Sequence, residues 1–332
     1  MSSRYEEHDH DSYGRPQRRT RPRTKDRPSY RDATTARVLS IDRGRYTLLV
    51  RDGEAERRVS AMKARQLGRQ GVVIGDNVRA VGDLSGAEGS LARIVEVEDR
   101  RTVLRRSADD DDPVERVLVA NADQLVIVTA LADPPPRPRL IDRCLVAAYD
   151  AGMHALLCLT KSDLASPDEL LTAYRPLGVT AVAISRGGSL DEITWRLQDR
   201  VSVLVGHSGV GKSTLVNALV PDAARITRGV NQVTGRGRHA STSAIALRLS
   251  FGGWIIDTPG IRSFGLAHVE PDRVLASFGD LAAVGSGCPR GCSHTDDEPE
   301  CELDVAVADG RLDPARVESF RRLLASRERR ED

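Results

Sequence analysis

The clearest chemical signal in the sequence is a glycine-rich octapeptide that follows an apolar run and opens a helix-forming stretch. It matches G-x-x-x-x-G-K-[S/T], a pattern in which backbone N–H groups wrap phosphates at the positive end of a helix. In this pattern the lysine reaches the β- and γ-phosphates and the last residue is placed for Mg²⁺. The sequence therefore predicts a nucleotide-phosphate site that extends into Thr214. Its other residues are Gly206, His207, Ser208, Gly209, Val210, Gly211, Lys212 and Ser213.

A second candidate is Asp257, which follows the apolar run 254–256 and begins the tetrapeptide Asp-Thr-Pro-Gly. A carboxylate at a strand end can hold Mg²⁺, directly or through water, and the N–H of Gly260 can meet the γ-phosphate. Alone, the tetrapeptide is a common turn. Its position one hairpin after the phosphate loop favours a role in the nucleotide site.

A third candidate is a Thr-Lys-Ser-Asp loop after the apolar run 154–159. Its carboxylate can accept both the N1–H and the exocyclic amine of guanine, a donor pair that adenine lacks, and the lysine stem can lie over the base. By itself such a loop is usually a solvated turn. Ser185, at the end of the next apolar run, is where a backbone loop that contacts guanine would fall. The loop residues are Thr160, Lys161, Ser162 and Asp163.

Three of the five cysteines form a cluster with one histidine near the C-terminus. Three thiolates and one imidazole make a complete tetrahedral set for zinc, and four protein ligands indicate a structural ion. Free surface cysteines are the alternative interpretation. Cys144 and Cys158 lie in apolar runs and are predicted to be buried core thiols. The predicted zinc ligands are Cys288, Cys292, His294 and Cys301.

The elements that must position these residues divide the chain into five parts. Residues 1–35 are polar and charged, which predicts a disordered basic arm. Five short β-type stretches in 36–98 predict a small β-barrel, with an OB-fold as the natural candidate among such barrels. The Arg- and Asp-rich segment 99–118 is predicted to be an exposed linker. Strand–helix alternation in 119–267 predicts a doubly wound α/β domain with a parallel sheet, and 268–332 a helical zinc-binding domain.

Composition excludes several other classes of protein. The 332 residues carry 49 basic and 48 acidic side chains, for a net charge of +1. This balance excludes a histone-like polycation but permits local basic patches. No apolar run reaches the ~18–20 residues of a membrane span, and the first residues contain no apolar signal-peptide core. We therefore expect a cytoplasmic protein without membrane contact, and the odd cysteine count argues against a disulfide framework.

The order of the three motifs is distinctive, because ordinary GTPases place base recognition after the phosphate loop. Here T-K-x-D precedes G-x-x-x-x-G-K-S, and D-x-P-G follows. With a barrel before them and a Cys/His cluster after them, residues 36–326 resemble the ribosome small-subunit-dependent GTPase A family. The resemblance implies an OB-fold, a circularly permuted GTPase domain and a C-terminal zinc domain. It also implies GTP and GDP binding, rRNA binding, and a late role in maturing the small (30S) ribosomal subunit as a monomer that the subunit stimulates.

Two motifs depart from the family or GTPase pattern. The segment 235–242 looks like the family's G-x-G-x-H-T-T-T but replaces two threonines by Ala and Ser. Thr242 is the candidate ligand for Mg²⁺ and the γ-phosphate, with Ser241 as an alternative. Thr160 stands where most GTPases have Asn, losing a carboxamide that ties the loop together. Looser guanine affinity is the expected result, whereas Asp163 preserves selectivity.

The catalytic assignment rests on a missing glutamine. Ile261 follows Gly260 where Ras-like GTPases place a glutamine that orients water. An aliphatic side chain cannot orient water, so intrinsic hydrolysis should be slow. His239 is the available replacement, and the family pattern also points to it, although a solvated loop residue is the alternative. Together with Lys212, it forms the predicted catalytic pair.

Two other functions compete with this one. The chain can instead be a nucleotide-gated RNA-binding assembly factor whose hydrolysis is incidental. Arg236 and Arg238 are candidates either to supply charge to the transition state or to grip RNA phosphates. The arginines of residues 1–35 and of 99–118 are predicted to supply phosphate contacts to RNA. A P-loop kinase is a weaker alternative, because the T-K-x-D loop and the lack of a recognisable second substrate lid count against it.

Overall fold

The computed structural model describes most of the chain from Tyr30 onward, and residues from Asp32 belong to one compact unit. The described residues are 30, 32–53, 55–68, 71–107, 115–223, 244–258, 265–266, 268–296 and 298–328. The strands among them are β1 (Thr34–Asp42), β2 (Arg45–Asp52), β3 (Ala55–Lys63), β4 (Asn77–Gly82), β5 (Ala92–Val97), β6 (Val103–Ser107), β7 (Glu115–Ala120), β8 (Gln124–Ala130), β9 (His154–Thr160), β10 (Thr180–Ile184), β11 (Val201–Val205), β12 (Ile245–Arg248) and β13 (Trp254–Asp257). The α-helices are α1 (Pro138–Asp150), α2 (Asp168–Tyr174), α3 (Asp191–Leu197), α4 (Lys212–Leu219), α5 (Pro271–Leu275), α6 (Gly279–Gly285), α7 (Glu302–Ala308) and α8 (Pro314–Glu328).

Strands β1 to β5 close into a barrel in the order β1-β2-β3-β5-β4-β1. All pairs are antiparallel except β3 with β5, which is parallel. Successive residues of a strand face opposite sides, so every second side chain of these strands points into the barrel. The inward side chains are mostly aliphatic and include Leu48, Val59 and Ile94. Five strands in this order form the OB type of Greek-key barrel, as the short β-type stretches predicted.

The α/β part contains the parallel strands β10-β9-β8-β11-β13, with β12 antiparallel to β13 at the edge. Strand β8 is buried at every position, as is usual when helices cover both faces of a parallel sheet. The chain runs outward from β8 through β9 to β10 and then returns to β11 on the other side. The loops after the adjacent strands β8 and β11 therefore flank the crevice where such sheets bind ligands. The pair Ser40 and Ile245 joins β1 of the barrel to β12.

The segment predicted as an exposed linker contains a two-stranded antiparallel sheet of β6 and β7. Leu104 and Val119, one from each strand, are buried in the main core. Arg100, from the predicted solvent-exposed arginine cluster, donates to both carboxylate oxygens of buried Asp76, at 2.7 and 2.9 Å. The linker prediction overlooked the alternating aliphatic residues among these charges. The predicted domain limits themselves remain a prediction.

The C-terminal helices pack directly on the α/β part. The ring of Phe278 packs against Tyr149 of α1 and Phe320 of α8. The distances from its ring centroid to theirs are 4.9 and 5.7 Å, respectively. Arg143 of α1 donates to the carbonyl of Ser326 at 2.9 Å. One apolar core therefore spans both parts. Within the described residues, every helix is too short or too polar to cross a membrane.

Candidate functional site

The phosphate loop connects β11 to α4, as the sequence predicted. Gly209 and Gly211 have φ angles of 85° and 90°, a region that glycine enters without steric cost. A Cβ on Gly206 would lie 2.4 Å from the carbonyl oxygen of Val128 on β8, so the loop leaves β11 against the neighbouring strand. The side chain of Val210 is fully buried in the apolar core and fixes the loop against it. The backbone thus curls at the N-terminus of α4, where phosphate binding is favoured.

Two opposite charges meet at the mouth of this loop. The ammonium of Lys212 donates to Oδ1 of Asp257, the last residue of β13, and both side chains are largely buried. Thr258 donates from its hydroxyl to the carbonyl of Leu204 at 2.8 Å, which fixes the turn after β13 against β11. The predicted phosphate-binding lysine and magnesium-binding carboxylate therefore lie side by side, although 45 residues separate them.

His207 is another polar side chain of the phosphate loop. Its Nε2 atom is buried and has no hydrogen-bond partner among the described residues. Burial and the nearby charge of Arg137 lower the pKa of this imidazole, so the neutral form is favoured. Pro134 contacts the same loop, since a Cβ on Gly209 would lie 3.4 Å from its Cδ. The segment after β8 therefore covers one side of the phosphate loop.

A pocket of about 470 Å³ opens beside the phosphate loop. Five residues predicted for base and phosphate binding line it together, although the chain separates them by more than fifty positions. They are Thr160, Lys161, Ser185, Gly211 and Thr214. Sequence reasoning missed the other lining residues, which lie within five positions after Ser185 or on α4. These residues are Arg186, Gly187, Gly188, Leu190, Leu215 and Ala218. The two glycines after Arg186 were the one feature of the sequence that could have indicated a ligand-binding loop here.

Thr160 ties the two predicted motifs together. Its hydroxyl donates to the carbonyl of Val210 in the phosphate loop at 2.6 Å and lies 3.3 Å from the carbonyl of Thr129. The ammonium of Lys161 donates to the carbonyl of Asp133 in the segment after β8. The sequence predicted looser guanine affinity because a carboxamide is missing, and that affinity remains a prediction. The structure shows that the Thr160 hydroxyl makes its own hydrogen bond to the phosphate loop.

The loops after β9 and β10 also hold each other. Oδ1 of Asp163 accepts the backbone N–H of Arg186 at 3.2 Å, and the N–H of Ser162 donates to the carbonyl of Ile184 at 3.2 Å. The carboxylate predicted to read guanine is thus oriented by the loop that carries Ser185. This arrangement places both predicted base-recognition loops at one end of the pocket.

Several predicted residues lie outside the described residues: His239, Ser241, Thr242 and Gly260. In the sequence, the first three of these residues come shortly before β12, which begins at Ile245, and Gly260 comes shortly after β13, which ends at Asp257. Their predicted roles in magnesium binding and hydrolysis therefore remain predictions.

The predicted Cys/His cluster is assembled in space. The three sulfurs and Nδ1 of His294 all lie within 4.8 Å of one another. The distances from this nitrogen to the sulfurs of Cys288, Cys292 and Cys301 are 3.6, 3.4 and 3.9 Å. In a tetrahedral zinc site, Zn–S and Zn–N bonds of ~2.3 and ~2.0 Å imply nitrogen–sulfur separations of about 3.5 Å. The four atoms are therefore spaced to hold a metal ion.

The surroundings of the cluster also suit a cation. Burial raises the pKa of the Cys292 thiol to about 12, a cost to the thiolate that a bound cation would reverse. Nε2 of His294 lies 3.6 Å from a carboxylate oxygen of Asp272, the kind of outer partner that orients a metal-binding imidazole. The carbonyl of His294 accepts from Nε of Arg321 at 3.0 Å, and the N–H of Glu302 donates to the Cys288 sulfur at 3.3 Å. The site is thus built into α5, α7 and α8.

Comparison with known proteins agrees with this geometry. Residues 97–267, just over half of the chain, match the family model described as RsgA GTPase. The chain belongs to the RsgA GTPase family. The "Small ribosomal subunit biogenesis GTPase RsgA" of Chlorobaculum parvum is 38% identical over 265 residues, covering 77% of this chain and 85% of the relative. The protein of the same name from Pseudomonas aeruginosa is 44% identical over 218 residues, covering 63% of this chain; the chain spans only 64% of that relative's length.

Solved structures show the same architecture. The crystal structure of YjeQ from Thermotoga maritima superposes with a TM-score of 0.65 at 26% identity, covering 90% of this chain and 99% of that chain. YloQ, described as a circularly permuted GTPase, gives 0.64 at 22% identity, covers 91% of this chain and 98% of its own, and supports the fold alone. The predicted fold class, an N-terminal barrel followed by a permuted GTPase fold and a Cys/His cluster, is confirmed.

Proposed function

We propose that this chain hydrolyses GTP and acts in the maturation of the small ribosomal subunit, as the names of its relatives state for them. One observation carries the proposal. The T-K-x-D loop and the phosphate loop line a single pocket and are joined by the hydrogen bond from Thr160 to Val210. A pocket built from both loops suits a guanine nucleotide, because Asp163 follows the lining residues Thr160 and Lys161 by two positions and the phosphate loop supplies a helix N-terminus for phosphates.

Within this pocket, Asp163 reads the N1–H and exocyclic amine of guanine. The ammonium of Lys212 leaves Asp257 and binds the β- and γ-phosphates. Ser213 and Asp257 would hold Mg²⁺, together with Thr242 or its neighbour Ser241. The ion would supply positive charge that neutralises the nucleotide phosphates. The proximity of Lys212 and Asp257 supports this exchange, since each charge has a partner before nucleotide arrives.

Hydrolysis requires a group that orients the attacking water. His239 is our candidate, since Ile261 occupies the position of the glutamine in Ras-like GTPases. We infer a slow intrinsic rate that rises when the subunit positions the segment carrying His239. GTP would order 228–243, and hydrolysis would release this segment and lower the affinity for RNA.

The Cys/His cluster would bind one structural Zn²⁺ per chain and hold the turn between α6 and α7 in place. The barrel, the C-terminal helices and the arginine-rich first 35 residues would then meet ribosomal RNA, with salt-dependent affinity. Of the arginines predicted to supply phosphate contacts from 99–118, Arg100 and Arg101 instead pair with Asp76 and Asp123. We expect the chain to act as a monomer in the cytoplasm.

The deciding experiment measures GTP turnover with and without purified small subunits. We expect a large stimulation by small subunits and none by large subunits. Lys212→Ala should abolish GTP binding and turnover, whereas Lys63→Ala, a barrel lysine that bonds the carbonyl of Gly68, should leave both unchanged. RNA and subunit binding that depends on GTP without any stimulated turnover would favour the nucleotide-gated binding factor instead.

A further inference from the structure

The chain has two tryptophans with opposite environments. Trp254 in β13 is 7% exposed, whereas Trp195 in α3 is 65% exposed. Ile193 and Leu197 on the same helix are buried in the core, so the helix is seated firmly and turns the indole outward. Exposing so large an aromatic surface forfeits the stabilisation that its burial would provide. A large aromatic ring that is exposed to solvent on a well-packed helix indicates a surface that binds a partner or ligand.

One arginine stacks on this indole, and a second approaches the same buried glutamine as the first. The guanidinium carbon of Arg196 is 4.6 Å from the centre of the Trp195 ring. Buried Gln124 fixes the backbone here, since its Nε2 donates to the carbonyl of Arg196 at 3.0 Å and to Oγ of Ser202 at 2.8 Å. Nη1 of Arg200 approaches Oε1 of the same glutamine at 3.5 Å. One buried amide therefore positions both arginines.

Arg196 and Arg200 line a cavity of about 630 Å³ at the amino ends of β8, β9 and β10. The nucleotide pocket lies at the carboxyl ends of these strands, so the two sites are at opposite edges of the sheet. Apolar side chains cover part of the cavity wall, and His154 adds a polar group. The apolar residues include Met153, Leu156, Leu177 and Phe278.

The charges at this cavity favour an anionic ligand. A third lining arginine, Arg316, is already held by the carboxylate of Asp280 and by the carbonyl of Pro176. Arg196 meets only a distant carboxylate, Glu192 at 3.8 Å, and its Nε is buried with no hydrogen-bond partner among the described residues. Arg200 is exposed, and within the described part of the chain its one polar side-chain contact is the long one to Gln124 described above. Two guanidinium groups are therefore available to a ligand.

We propose that Trp195, Arg196 and Arg200 form a binding site for an unpaired nucleotide of single-stranded RNA. The base stacks on the open face of Trp195, and the flanking phosphates lie on the two guanidinium groups. Stacking on an aromatic ring next to cationic side chains is the usual way proteins hold single-stranded nucleic acid. The inference deepens the proposed function, because ribosomal RNA would be the natural ligand, but the site can be tested without ribosomes or GTP.

The test uses Trp195 as its own reporter. In Trp254→Phe, Trp195 is the sole tryptophan, and we titrate its fluorescence with a uridine hexamer at low salt. We expect saturable quenching by the hexamer and none by an RNA duplex or by inorganic phosphate at equal phosphate concentration. Adding Arg200→Ala should raise the Kd for quenching several-fold and flatten its salt dependence by about one phosphate contact. Arg175→Ala, at an exposed arginine between α2 and β10, is the matched control and should change neither.

Trp195→Ala should raise the Kd for binding of a labelled hexamer about 5- to 150-fold, since stacking contributes ~1–3 kcal/mol per base. Absence of quenching at saturating hexamer would overturn the proposal, as would equal quenching by phosphate alone. If Trp195→Ala loses small-subunit affinity while the hexamer never quenches, the surface binds protein and the RNA assignment is wrong. Any of these results with subunit-stimulated turnover intact would leave the proposed GTPase function standing.

Discussion

The hydrogen bond from Thr160 to Val210 yields the most specific prediction. Thr160→Val keeps the shape of the side chain but removes the hydroxyl, leaving the carbonyl of a fully buried residue without its 2.6 Å donor. Loss of one buried hydrogen bond costs about 1–3 kcal/mol. If the bond holds the base-recognition loop in its binding position, up to the same free energy is lost from nucleotide affinity. The Kd for GDP should then rise about 5-fold for 1 kcal/mol and about 30-fold for 2 kcal/mol.

A matched variant separates stability from binding. Thr102, 6% exposed, donates to the carbonyl of Ala122, also at 2.6 Å, but lies in the β6–β7 region away from the nucleotide pocket. Thr102→Val should therefore lower the urea midpoint of unfolding about as much as Thr160→Val, yet leave the Kd for GDP unchanged in calorimetric titrations. Equal GDP affinity in both variants, with equal destabilisation, would refute the idea that the bond organises the binding site.

Two further predictions concern the metal cluster and the hydrolytic step. The purified chain should contain about one zinc per molecule. Cys292→Ser should lose it, while Cys144→Ser, at a buried thiol outside the Cys/His set, should retain it. A metal-free, fully folded wild-type chain would contradict the assignment. His239→Ala should slow subunit-stimulated hydrolysis by at least ~100-fold while sparing GTP affinity, since a positioned general base or water-orienting group contributes about that much; equal rates would identify His239 as a solvated loop residue.

Much of the fold was predictable from local pattern. The phosphate loop could be located because glycines, a lysine and a serine stood at fixed spacing between an apolar run and a helix, a context that few other structures produce. The doubly wound parallel sheet followed from the alternation of apolar strands with helices. The pairing of β6 with β7 was missed, because the charges of Arg105 and Arg106 on one strand suggested solvent while Leu104 beside them was buried.

The site itself was predicted less completely. The residues after Ser185 were not expected in the pocket, since one arginine and two glycines in a short loop are also typical of a solvated turn. The arginines of 99–118 were expected to face RNA, but Arg100 lies against the fully buried carboxylate of Asp76. Charge alone does not reveal whether an arginine meets a phosphate or a carboxylate, because both are recognised by the same guanidinium geometry.

What the sequence by itself determined is the inventory and order of the chemistry: a base-recognition loop, then a phosphate loop, then Asp257, then a Cys/His set. These are local patterns, and each carries its meaning within a few residues. Only the tertiary structure decided which groups meet. It joined Thr160 to Val210, set Lys212 against Asp257, brought four metal-binding side chains within 4.8 Å and left Trp195 outside the core. Such contacts depend on how strands and helices pack, and no short-range pattern encodes that packing.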